Sequence, residues 1–192
     1  MAVSASSHAT AQARRPGGRS ARVRDAVYTA VGELVGEGHR DTMTIPQVAE
    51  RAGVNPTSVY RRWGSVEALL SEVAVAALTG DDSLPDTGTF AGDLKAWASA
   101  IAEDIFRPER GIYLRALASR GGLDGSCPCW EHRLRQAEKM AERGRERGER
   151  TPTPRQIVDH VVAPLYHHAV FGLPGGAAYA EALVADVFAL AQ

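Results

Sequence analysis

Apolar residues recur every three to four positions through most of the chain, and no stretch alternates apolar with polar residues as a half-buried strand would. Over residues 20–37, Val23, Ala26, Val27, Ala30, Val31, Leu34 and Val35 fall on one stripe, which predicts an amphipathic helix. A second helix over 66–78 carries Leu69, Leu70, Val73, Ala76 and Ala77. A Gly-, Pro- and Asp-rich linker occupies 80–88. Beyond it, residues 90–106 align Leu94, Trp97, Ala98, Ile101 and Ile105, and Pro108 opens a helix running to about residue 119. The segment GGLDGSCP breaks that helix. Residues 129–147 then read as a charged helix with a thin apolar seam of Trp130, Leu134, Ala137 and Ala141, so much of it must face water. From Ile157 two neighbouring rows climb the next helix, Ile157–Val161–Leu165–Ala169 and Val158–Val162–Tyr166–Val170, with Pro164 predicted to kink it. After LPGG a last helix holds Tyr179, Leu183, Val184, Val187, Phe188 and Leu190. The pattern predicts an all-α fold of about nine helices.

Residues 44–69 carry the densest signal. Thr44 and Gln47 have the spacing of a capping box, and Pro46 sits in the first turn, where its missing N–H costs nothing. Ile45, Val48, Ala49 and Ala52 form one apolar face, and Gly53 is a helix stop that tolerates the left-handed conformation. Asn55 and Pro56 start a second short helix as cap and first residue. On it only Val59 and Trp63 point inward, leaving Thr57, Ser58, Tyr60, Arg61 and Arg62 outside. Ser65 caps the following helix, whose first amides can hold a phosphate. Two short helices across a tight turn, the second with a polar and basic outer face, make a helix-turn-helix whose second helix enters the major groove. Arg can fork to guanine, and Ser or Thr can reach bases or phosphate. Thr44, Asn55 and Ser65, at the three helix starts, complete the expected DNA-facing set.

These residues resemble the N-terminal domain of the tetracycline-repressor (TetR/AcrR) family of bacterial transcription regulators. An amphipathic helix ending in a Gly-rich turn precedes the family's Ala-x-x-Ala-Gly-Val turn, recognition-helix Tyr, aromatic three residues later, and Ser-x-Glu-x-Leu helix start. Here these are Ala49, Ala52, Gly53, Val54, Tyr60, Trp63, Ser65, Glu67 and Leu69. The resemblance implies base contacts from Thr57 and Ser58 and phosphate contacts from Tyr60 and Arg62. It also shows a departure: Val66 stands where the family usually has Lys, so the amides of Val66 and Glu67 must serve instead. Gly148–Glu149, Pro164–Leu165–Tyr166 and the closing helix from Ala178 resemble the C-terminal domain of one TetR subgroup.

Charge adds a polarity to this picture. Residues 1–80 hold nine Lys/Arg against seven Asp/Glu, whereas 81–192 hold thirteen against sixteen. Residues 1–24 carry Arg14, Arg15, Arg19, Arg22 and Arg24 and no acid, so 1–19 is expected to be a disordered basic arm able to follow phosphates or enter the minor groove. It lacks the apolar core of a secretory signal and the amphipathic pattern of a transit peptide. No stretch approaches the ~18 apolar residues of a membrane span, and a cytoplasmic protein is expected. The expected units are the arm, a DNA-binding domain at 20–64, a connecting helix at 65–80, and a ligand-binding and dimerisation domain at 89–192.

Family resemblance implies a small-molecule site inside the C-terminal domain. Trp97, Ile101, Phe106, Tyr113, Leu117, Trp130, Leu134, Tyr166 and His167 are its candidate linings. Few charges fall on those inward faces, so the effector is expected to be apolar or aromatic, with no cofactor. Palindromic DNA demands a two-fold protein, and the two terminal helices offer an interface through Ile157, Val161, Leu165, Val184, Val187 and Phe188. Burial of those residues in their own domain is the competing explanation. His160, His167, His168, Cys127, Cys129 and His132 match no standard zinc spacing, so no metal is expected. A thiol switch at Cys127/Cys129 competes with plain loop thiols. No Gly-rich phosphate loop, nucleophile elbow or carboxylate pair supports an enzyme. The sequence therefore points to a homodimeric, ligand-responsive repressor. The alternative is a small-molecule-sequestering or protein-interaction module with weak DNA binding, for which Val66 is the only support.

Overall fold

The computed structural model describes residues 18–80, 83–119 and 128–190. The expected basic arm falls almost wholly outside the described residues, as does Cys127. All regular elements among the described residues are helical: α1 (Arg19–Gly36), α2 (Ile45–Arg51), α3 (Pro56–Trp63), α4 (Val66–Thr79), α5 (Phe90–Ile105), α6 (Pro108–Ser119), α7 (Pro128–Glu146), α8 (Pro154–Ile157), α9 (Ala163–Phe171) and α10 (Ala177–Leu190). A short 3₁₀ turn, Arg40–Thr42, joins α1 to α2, and a π segment, Val158–Val162, joins α8 to α9 into one rod.

Two apolar cores organise these helices. The first gathers Val27, Val31 and Leu34 of α1, Ile45 and Val48 of α2, Val59 and Trp63 of α3, and Leu69 and Val73 of α4. The second packs Leu94, Trp97 and Ile101 of α5 against Met140 of α7, Ile157, Val161 and Leu165 of the rod, and Val184 and Val187 of α10. α4 belongs to both, because Leu78 in its last turn joins the second core. α6 also straddles the seam: Leu114 faces the second core, whereas Tyr113 is buried in the first.

The segment after the linker is pinned by a buried acid. Asp93, with no exposed surface, accepts from the Thr87 N–H at 2.6 Å and hydroxyl at 2.9 Å, from Arg143 at 3.0 Å and from Arg147 at 2.9 Å. Arg143 also donates to the Pro85 carbonyl. Burial pushes the Asp93 carboxyl up, but the Thr87 N–H, Arg147, the Thr87 hydroxyl and Arg143 outweigh it and hold the group below its ordinary value. The start of α5 is thereby fixed to the end of α7, where Gly144 lets the backbones close. A Cβ there would meet Thr151 Cγ2 at 2.8 Å and Phe90 Cβ at 3.0 Å.

Pro164 produces a π turn rather than a simple kink. Its ring would crowd the carbonyl of His160 in regular α geometry. The turn just before it is widened instead, so that the Ala163 N–H bonds to the Val158 carbonyl, five residues back.

The structure corrects the expected interface. Ile157, Val161, Leu165, Val184 and Val187 are buried inside the protomer, and Phe188 packs edge-on against Phe90 at 5.8 Å between ring centroids. They cannot offer a free outer face. The exposed large apolar side chains on the last two helices and the turn between them are Phe171, Leu173 and Leu190, with His167 against the Phe171 ring at 4.8 Å.

Candidate DNA interface and ligand cavity

Local sequence alone builds the geometry of the first site. The Thr44 hydroxyl accepts from the Gln47 N–H, and the Gln47 side chain accepts from the Thr44 N–H at 2.9 Å, completing the capping box. At the end of α2, Gly53 takes φ +64°. The Val54 N–H then reaches the Ala49 carbonyl at 2.9 Å and the Gly53 N–H the Glu50 carbonyl at 3.1 Å, a paired closure that fixes the corner. Asn55 accepts from the Thr57 N–H at 2.8 Å and launches α3. Ser65 accepts from the Ala68 N–H at 3.2 Å and launches α4.

The corner sets α3 with Val59 and Trp63 inward and its other face in solvent. Thr44, Asn55, Thr57, Tyr60, Arg61, Arg62 and Ser65 are exposed, and Ser58 is half-buried. Tyr60 is 49% exposed, a large aromatic with no core to enter. Arg62 donates to the Ser20 hydroxyl at 3.2 Å and lies over the Trp63 ring, 5.1 Å from its centroid. Neither Arg61 nor Arg62 meets a carboxylate among the described residues. Val66, the departure from the family's Lys, rests against the first core. Behind the site, Arg51 of α2 is clamped to Glu33 of α1 at 3.3 Å and to Glu37, the residue that closes α1, at 2.7 Å. The Tyr28 hydroxyl of α1 donates to Glu72 of α4 at 2.6 Å, and burial, then Glu72, pushes its pKa up to about 12.

The second site is a cavity of about 560 Å³ bounded by the end of α4, residues 83–85, α5, the α5–α6 turn and α7. Trp97 and Ile101 line it, as expected. So do Leu78, Leu84 and Pro85, and five charged residues: Glu103, Asp104, Arg107, Arg110 and Arg133. Asp104 holds Arg110 at 3.0 Å and Arg107 at 3.8 Å. Arg133 is only 8% exposed and donates to Tyr166 Oη at 3.1 Å, Gln136 Oε1 at 2.7 Å and the Leu78 carbonyl at 3.3 Å. Trp97 Nε1 donates to the same Gln136 oxygen at 3.2 Å.

Two family models match this chain. One, described as "Bacterial regulatory proteins, tetR family", covers residues 33–73, and the other, "Tetracyclin repressor-like, C-terminal domain", covers residues 84–187. The chain belongs to the TetR family of transcription regulators. Among curated TetR-type relatives, it is 33% identical over 135 residues to the HTH-type transcriptional regulator AqdR of Rhodococcus erythropolis, covering 68% of this chain and 65% of that protein. It is 28% identical over 145 residues to the uncharacterized HTH-type transcriptional regulator YdeS of Bacillus subtilis, covering 72% of each. The chain thus spans just under two thirds of the length of the first and somewhat more of the second. Among solved structures, the TetR family transcription regulator SCO0332 superposes with a TM-score of 0.67 at 28% identity, covering 88% of this chain and 97% of that one.

Within this TetR fold the expected linings scatter. Tyr166 reaches the cavity's edge through Arg133. Tyr113 is in the first core, so it faces α1 and not the cavity. His167 is exposed beside Phe171 on the outside of α9. Phe106 presses on Gly175, and Trp130 lies under the Arg155 guanidinium, 5.6 Å away. Leu117 and Leu134 pack on the cores. The missed residue is Arg133. The inward stripe of α7 is Cys129, His132, Arg133, Gln136, Ala137, Met140, Ala141 and Gly144, one position round from the expected seam. The pairing of Arg133 and Gln136 with Met140 at helical spacing was the available signal. The expectation of few inward charges is overturned here by that side chain.

Proposed function

We propose that this TetR-family chain binds a palindromic DNA operator as a homodimer, represses transcription there, and releases the operator when a small molecule occupies the C-terminal domain. The observation that carries this reading is α3 itself: its apolar side chains are spent on the core while its arginines, threonine and tyrosine stand in solvent. Two copies related by a two-fold axis would place their α3 helices about one helical turn apart, ~34 Å. The exposed Phe171 and Leu173, at the turn between α9 and α10, and Leu190, at the far end of α10, support pairing through the outer faces of these helices.

Communication between the sites has a short path. α4 starts at Ser65, directly after α3, and ends at the cavity wall. A ligand that favours another position of the α4 end shifts the dimer's DNA affinity by its differential affinity for the two states. Among the described residues no helix is long and apolar enough to cross a membrane, which fits a regulator working in the cytoplasm.

The test is a fluorescence-anisotropy titration of the full chain against DNA upstream of its own gene, followed by footprinting. Two protected half-sites one helical turn apart are expected. No binding to any native promoter fragment at low salt would overturn the reading.

A further inference from the structure

A guanidinium that is nine-tenths buried normally sits against a carboxylate, because an unneutralised buried charge is costly. Arg133 does not. Its three acceptors are a phenol, an amide and a main-chain carbonyl, all formally neutral. The Leu78 carbonyl lies in the last turn of α4, where the helix dipole contributes roughly half a negative charge. That offsets part of the guanidinium's charge and leaves the rest. A guanidinium has five N–H donors, so donors remain beyond the three acceptors it meets.

The other ionic groups of the cavity do not make up the deficit. Asp104 is shared between Arg110 and Arg107, and Glu103 is at the exposed rim. Across the described lining the two acids and three arginines sum to one positive charge, and the cation that meets no carboxylate among the described residues is the buried one. Beside it stands an apolar wall of Trp97, Ile101, Leu84 and Leu78. The volume, about 560 Å³, suits a small organic molecule.

We propose that Arg133 is the anion-reading residue of this cavity and that the effector is a small monocarboxylate with an apolar or aromatic body. A single negative charge balances the site, whereas a dianionic phosphate would meet Asp104 and Glu103 with charge to spare. The planar fork of Arg matches a carboxylate. The carboxylate competes with the Leu78 carbonyl for the same guanidinium, which gives the ligand a direct hold on the end of α4. This deepens the ligand-responsive reading above and rests on it only for the consequence, not for the binding.

Isothermal titration calorimetry on the full chain tests the binding with octanoate, decanoate, benzoate and phenylacetate, each against its primary amide. Saturable binding of at least one carboxylate is expected, with its amide at least tenfold weaker. Arg133→Met should lose that preference, and Arg133→Lys, which keeps the charge but not the fork, should retain part of it. Because the acid–amide comparison uses the unaltered protein, it stands even if a variant does not fold. Equal binding of acid and amide, no binding by any of the four acids, or an unchanged preference in folded Arg133→Met would each overturn the proposal. Carboxylate binding through Arg133 with no change in operator affinity by anisotropy would uphold the site and sink the ligand-responsive reading instead.

Discussion

Arg62 donates to the Ser20 hydroxyl, 3.2 Å away, and so ties the recognition helix to the first turn of α1. Its neighbour Arg61 has no such tether among the described residues and is exposed on α3. Two adjacent arginines on one helix are thus prepared differently. One is held against Trp63 at the protein surface, and the other is free to probe a groove.

That difference predicts two phenotypes. Arg61→Ala should cost ~1–3 kcal/mol on the cognate operator and relax the preference at one base pair. Arg62→Ala should weaken binding to all sequences about equally and reduce its salt dependence. Anisotropy titrations against the operator and single-base variants, at two salt concentrations, separate the two. A uniform loss in Arg61→Ala would make it a phosphate contact.

The corner between α2 and α3 predicts a stability effect that reads out as lost binding. Gly53 sits at φ +64°, where a Cβ meets no atom but the backbone conformation itself is strained for an L residue. Gly53→Ala should destabilise by ~1 kcal/mol and Gly53→Val by more, because branching at Cβ adds to the strain. Thermal melts by circular dichroism would show it; an unchanged melting temperature would contradict the role assigned to this turn.

Asp93 predicts an acid limit on stability. Its folded pKa lies below its unfolded value, so the ionised form is the one that the fold favours. The contribution is complete above the unfolded pKa of ~3.9 and is lost as pH falls through the folded value. Urea midpoints should be flat near neutrality and fall below about pH 4. Asp93→Asn should lower stability by roughly 2 kcal/mol at neutral pH through loss of the charge-assisted bonds to Arg143 and Arg147, and should soften the acid decline. A variant with wild-type midpoints throughout would show the cluster to be neutral.

The outer face of the last two helices predicts a dissociable dimer. Phe171 is 68% exposed, so Phe171→Asp should leave the fold intact and yield monomers by sedimentation velocity. Leu165, wholly buried, should behave oppositely: Leu165→Glu puts a carboxylate into the core and should abolish cooperative melting. A folded Phe171→Asp dimer would place the interface elsewhere.

The contrast between these two residues shows what sequence could convey. Thr44, Gly53, Asn55 and Ser65 were legible because their roles are settled by hydrogen bonds within a few residues. The helix-turn-helix therefore emerged with its exposed face correctly assigned. Leu165 was misread because periodicity identifies an apolar face without saying whether a neighbour in the same chain already covers it. Here α5 and α6, packed against α9, do so. Tyr113 was misplaced for a related reason: α6 has one core on each side, and its pattern does not label them. Arg133 escaped because a charged residue beside an apolar seam reads as solvated until α4 and the Tyr166 ring close over it.

The widened turn at Val158–Val162 acts as a phase shifter for everything distal to it. Were the same residues wound at ordinary pitch instead, Ala163–Phe171 would be rolled about its own axis by about 100°. Phe171 would swing away from the side it now occupies, and a second protomer docking there would arrive at a new tilt. In the proposed dimer, the spacing of the paired reading heads at the far end of the molecule would therefore be set, in part, by one surplus residue well away from the DNA.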